Sequence, residues 1–106
     1  MTPLYAASLK GHTEVVKLLL DASADVNKAT LKHVTPLHIA SQKGHIKIVK
    51  LLLDAKANVN AITRFGGEVY TSLRFARDGG YTSIVALFKK NVAKEFRKRA
   101  EPKSGI

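Results

Sequence analysis

The chain has 106 residues, with 18 Lys or Arg against 8 Asp or Glu and a net charge of +10. That length supports one domain and falls short of a second core, and a hydrophobic share of 45% argues against wholesale disorder. With no cysteine, disulfides, thiol nucleophiles and cysteine–zinc sites are excluded together.

Thr2-Pro3 opens the first element: a hydroxyl cap, then Pro at the first helical position, where its missing N–H costs nothing. Leu4 and Ala7 lie three apart on the face this short helix would bury, and Gly11 after Lys10 ends it. A second helix carries Val15, Val16 and Leu18–Leu20, and the stretch after it leaves helical periodicity. The same text then returns. Residues 2–30 and 35–63 stand 33 positions apart and agree at 19 of 29 aligned positions. Thr35-Pro36 caps again, Leu37 and Ala40 repeat the buried face, and Lys43-Gly44-His45 breaks the helix. Ile48, Val49 and Leu51–Leu53 form an apolar arc too wide for a lone surface helix, as expected where neighbours cover both sides. A third, degraded copy begins at Thr71-Ser72-Leu73, with Gly80-Tyr81 for Gly-His and Ile84–Phe88 for the second helix. It lies 36 positions on, so three residues are inserted in the loop 62–70. Lys89 and Lys90 replace the leucine and aspartate that should follow, giving a terminal repeat its polar outer face. Val92 and Phe96 continue a line from Phe88 at i, i+4, and Pro102 stops a helix expected to reach about Ala100.

Self-similarity at such a period marks a stacked-repeat architecture. Thr35-Pro36-Leu37-His38-Ile39-Ala40, Gly44-His45, a Val49-Lys50-Leu51-Leu52-Leu53 helix and an Ala57-Asn58-Val59-Asn60 exit, recurring at 33 residues, resemble the ankyrin repeat over residues 2–88. The resemblance implies an L-shaped stack of antiparallel helix pairs, with loops projecting as β-hairpin fingers along a concave side. Three features depart from it. The first finger, Thr30-Leu31-Lys32-His33-Val34, lacks the usual Asp and the Gly that makes the turn at position 33, and Tyr5 and Arg74 stand where the second copy has His38. The expected fold is all-α: an ankyrin-type α-solenoid of about three repeats (2–34, 35–70 and 71–100, the last a C-terminal cap) with a basic C-terminal helix and a tail at 101–106.

Of the four histidines, His12 and His45 follow a helix-breaking Gly and His38 follows Thr-Pro-Leu; in ankyrin-like units these satisfy groups around the turn, and His33 sits at a finger tip. No HExxH and no paired carboxylates accompany them, and Gly66-Gly67 and Gly79-Gly80 lack phosphate-loop spacing. Catalytic residues, metals, cofactors and small-molecule substrates are therefore not expected. The exposed positions that differ between copies are more informative, because the scaffold does not dictate them. In the family, finger tips and variable first-helix residues grip partners; carried over, these are Leu9 and Lys10, then Leu31, Lys32 and Val34, then Gln42 and Lys43, then Arg64, Phe65, Glu68 and Tyr70. Leu9, Leu31, Val34, Phe65 and Tyr70 would be apolar groups in solvent-facing places, of the composition interfaces favour. Phe65 and Tyr70 have a second reading, in which they fold back over the third copy.

Residues 89–106 hold seven basic residues, among them the patch Lys89, Lys90, Lys94, Arg97, Lys98 and Arg99. Such a field favours acidic partners. The expected function is protein–protein recognition through the concave finger and inner-helix surface, with a partner of acidic surface. The alternative is a basic adaptor that binds nucleic acid or an anionic membrane through the C-terminal helix. Leu4, Val15 and Leu19 of the first copy have no polar N-terminal cap before them, so a monomer or a weak dimer through that repeat is expected. No apolar run nears the about 18 residues of a membrane span, and no signal-peptide pattern opens the chain. A cytoplasmic setting, or a nuclear one, is expected.

Overall fold

The computed structural model describes the backbone of residues 1–100 and the side chains of residues 1–92, and the statements below concern those residues. Three helix pairs follow one another: α1 (Pro3–Lys10) with α2 (Thr13–Asp21), α3 (Pro36–Lys43) with α4 (Ile46–Asp54), and α5 (Ser72–Asp78) with α6 (Thr82–Ala100). The inner helix α3 packs between α1 and α5, and the outer helix α4 between α2 and α6. A two-stranded antiparallel sheet, β1 (Thr63–Phe65) and β2 (Glu68–Tyr70), projects before α5.

Each inner helix starts on a threonine. The hydroxyls of Thr2, Thr35 and Thr71 accept the backbone N–H of Tyr5, His38 and Arg74 at 3.1, 3.1 and 3.2 Å. Such a side chain satisfies one of the donors that a helix start leaves orphaned. Each inner helix also turns on a glycine in the left-handed region, with Gly11 and Gly44 at φ 77° and Gly80 at φ 72°. Ala7, Ala40 and Ala76 recur at the inner-helix contacts, all buried, because a methyl group lets the backbones approach. The core runs through the stack from Leu4 and Val16 through Leu37, Ile48, Val49 and Leu52 to Ile84 and Phe88. Each fully buried leucine stabilises by about 1.5–3 kcal/mol.

The two fingers close differently. In the second, Thr63 pairs with Tyr70, Arg64 with Val69 and Phe65 with Glu68, around Gly66 and Gly67 at φ 55° and 83°. Two consecutive positive φ angles match the right-handed twist of the flanking strands, and the inserted residues give those strands room. The first finger is a tight turn. Thr30 N–H donates to the Val34 carbonyl at 2.9 Å and His33 N–H to the Thr30 carbonyl at 2.8 Å. His33 itself takes the left-handed conformation, φ 66°, that a glycine would adopt without strain.

Two expectations are corrected here. Val34, expected to face solvent as a partner contact, is 7% exposed. It pairs with Thr30 at the base of the finger and leads straight into the Thr35 cap, so it belongs to the stack and not to the tip. Leu4, expected on an uncovered flank, is also buried, whereas Val15 on α2 is 44% exposed.

Candidate functional site

The fingers and inner helices are fastened by side-chain links between copies. The Thr63 hydroxyl donates to the Lys32 carbonyl at 2.8 Å and ties the second finger to the first. Beneath them, His38 Nδ1 accepts the Thr35 N–H at 3.0 Å, which completes a reciprocal cap on α3. Its Nε2 bonds the Ala61 carbonyl at 2.8 Å, 23 residues away. A ring nitrogen that accepts an N–H carries no proton, so Nε2 must donate to Ala61 and the imidazole is neutral. Burial holds the His38 pKa below its ordinary value. With both nitrogens engaged in holding the loop to α3, this ring has no lone pair left for a metal or for acid–base work.

On this base the tips reach into solvent. Leu31 is 101% exposed, and Lys32 and His33 beside it are also exposed. On the second finger Arg64, Glu68, Ile62 and Val69 are exposed, and Phe65 is 43% exposed. Tyr70 behaves differently. Its ring stacks on buried Phe75 with centroids 4.8 Å apart, and the Arg74 guanidinium lies 4.2 Å from the Tyr70 centroid. Phe65 meets Phe75 and Tyr70 edge-on at 5.9 and 6.0 Å. Of the two readings of these aromatics, Tyr70 takes the folded-back one and shields the third copy. Phe65 shares that cluster and keeps an open face.

Arg74 has the largest electrostatic consequence. It donates to the Val69 carbonyl at 2.8 Å and to Glu68 Oε1 at 3.0 Å, and its Nε lies 3.7 Å from Asp78. The Glu68 hydrogen bond raises its already high pKa. Both carboxylates, one on the second finger and one on α5, are therefore engaged by a single guanidinium, which balances the charge of one of them. Lys10, Lys32, Lys43, Arg64 and Arg77 form no ion pair among the described residues. Glu68, expected as a partner contact, is thus internally engaged. The sequence reading did not find the Arg74 clamp, because its partners stand on a finger whose pairing register decides the contact. Of the remaining positions, Lys10, Gln42 and Lys43 are exposed along the inner helices. Leu9 is half-buried, and its carbonyl accepts from His45 Nε2 at 3.1 Å. His12, expected to bond around its turn, is exposed and makes no side-chain hydrogen bond among the described residues. Lys89 and Lys90 are exposed on α6, whereas Lys94, Arg97, Lys98 and Arg99 lie outside the residues whose side chains are described.

Three comparisons bear on this arrangement. The family profile described as "Ankyrin repeats (3 copies)" matches residues 1–63. The human ASB11 ankyrin repeat domain, a crystal structure, superposes with a TM-score of 0.78 at 31% sequence identity, covering 86% of this chain. The chain spans only 40% of that structure's length. No curated protein sequence matches the chain significantly.

Proposed function

From the premise that this chain belongs to the ankyrin-repeat family, whose members are generally protein–protein interaction modules, we propose that it recognises a partner protein of acidic surface through its fingers and inner helices. One observation carries the reading. Arg74 engages both Glu68 and Asp78, and the cations Lys32 and Arg64 stand without an ion pair among the described residues around exposed Leu31 and Phe65. Apolar anchors rimmed by unpaired cations suit an acidic segment with one or two apolar side chains, which the charges steer and the anchors hold. Because inter-copy hydrogen bonds already fix the fingers, little ordering cost is added on association. The residues proposed to touch the partner are Lys10, Leu31, Lys32, Gln42, Lys43, Arg64 and Phe65, with Leu9 at the margin. Glu68 and Tyr70 act by holding the second finger in place.

The test is an array of short acidic peptides carrying leucine or aromatic anchors, titrated against the full chain by fluorescence anisotropy. Reversing Lys32 and Arg64 to Glu should weaken the best binder by tenfold or more, about what lost electrostatic complementarity costs. The same reversal at Lys47 and Lys50 on the outer helix should have far less effect. Equal losses from both pairs would defeat the assignment to the fingers. Duplex DNA and anionic vesicles serve as further ligands. Tight binding to either, with a steep salt slope lost in Lys89→Ala/Lys90→Ala, would support the basic-adaptor reading instead.

A further inference from the structure

Successive repeats join through the same parts each time. At the turn, a ring from the later repeat covers the glycine of the earlier one. The His45 ring sits so close to Gly11 that a Cβ there would lie 2.8 Å from its Cε1, and Tyr81 covers Gly44 in the same way. On the outer helices, Ile48 and Ile84 occupy equivalent positions and are each 1% exposed.

At the two ends of the stack these parts are left over, in complementary form. The leading face, on α2, carries the knobs. Val15 stands where Ile48 and Ile84 stand yet is 44% exposed, Leu18 is 67% exposed, and the His12 ring covers no glycine. The trailing face, on α5 and α6, carries the holes. A Cβ on Gly80 would meet nothing within 4 Å, although Gly11 and Gly44 are both covered. Leu73 and Val85 are half-buried, whereas their equivalents Leu37 and Val49 are 1% and 0% exposed. An open apolar cleft of about 600 Å³, lined by Leu73, Phe88 and Val92, continues this face. Charge plays little part in the match, since Glu14 on α2 already pairs with Lys17 at 3.3 Å and Lys89 stands on the trailing face.

We propose that the leading face of one copy docks on the trailing face of a second copy, extending the stack head to tail through the contact that already joins its own repeats. His12 would cover the partner's Gly80, and Val15 and Leu18 would cover the surface around the partner's Leu73 and Val85. Such a contact uses two different surfaces, so it does not close on itself and growth continues beyond a dimer. The net charge of +10 opposes it, and salt that shortens the screening length strengthens it.

Sedimentation velocity of the full chain across a concentration series, at low and high salt, tests this. Average mass should rise with concentration, more steeply at high salt, without stopping at two copies. Leu18→Glu blocks the leading face. Val85→Glu blocks the trailing face, and because Val85 touches the core, Gly80→Asn is the second variant there; Asn tolerates the left-handed backbone and fills the open slot. Circular dichroism confirms that each is folded. Each variant alone should be monomeric, and an equimolar mixture of Leu18→Glu with Gly80→Asn should form a one-to-one dimer and nothing larger. Dimerisation of Gly80→Asn by itself would mean that leading faces pair with each other and would overturn the proposal. So would a wild-type chain that stays monomeric throughout, or a mixture that does not associate.

Discussion

The first and second helix pairs share most of their sequence and differ in environment. Leu52 in the second pair is fully buried, whereas Leu19, its equivalent in the first, is only partly so. His45 bonds a carbonyl of the pair before it, and His12, at the same place in the first pair, bonds nothing among the described residues. The side chains are the same and the neighbours differ. In a solenoid each unit contacts only the adjacent ones, so position in the array sets how much a given residue stabilises.

The largest effect should come from cutting equivalent leucines. Leu52→Ala should cost about 2–5 kcal/mol, the range for a buried leucine whose site cannot collapse, and Leu19→Ala roughly half as much or less. Urea unfolding of both variants measures the difference, and equal costs would mean that the array position does not matter. His38 comes next. The first pair has Tyr5 at this place, so only the second has an imidazole bridging its cap to the loop at Ala61. His38→Ala should cost about 1–3 kcal/mol by leaving those backbone groups unsatisfied. The site also makes stability depend on pH. Burial lowers the His38 pKa from 6.5, so the unfolded chain binds a proton there more readily than the folded one. The contribution is complete above pH 6.5 and is lost as the pH falls below it. Unfolding curves from pH 8 to 5 should show that loss, and His38→Gln should remove its share. The smallest effect lies in the finger that joins the two pairs. His33→Gly should stabilise by about 0.5–1 kcal/mol, since relief of the positive φ outweighs the added freedom of glycine. A lower melting temperature would show that the His33 side chain contributes more than its backbone strain costs.

The parts of the fold readable in advance rest on short-range chemistry. Thr35 and Pro36 announce a helix start because a hydroxyl and a missing N–H suit the first turn of any helix, and Gly44 announces its end because its φ is positive. The candidate site was less readable. Leu31, Arg64 and Phe65 appear on the surface as their place in the repeat suggested, but Val34 is buried and Tyr70 lies against Phe75. Both exceptions sit at the base of a finger, where the direction of the returning chain decides which way a side chain points. The Arg74 clamp on Glu68 and Asp78 needed the register of β1 against β2 before it could be seen.

Residue order alone therefore establishes the period, the caps, the turns and the buried stripe of each helix, since each arises from contacts within about one helical turn. Which cations stay unpaired, which aromatics are shielded and which faces lie open depend on distances between units that the chain brings together only by stacking. Equal sequences in unequal surroundings cannot be told apart until those surroundings exist, and so Leu19 and Leu52, written alike, end as one partly buried residue and one fully buried residue.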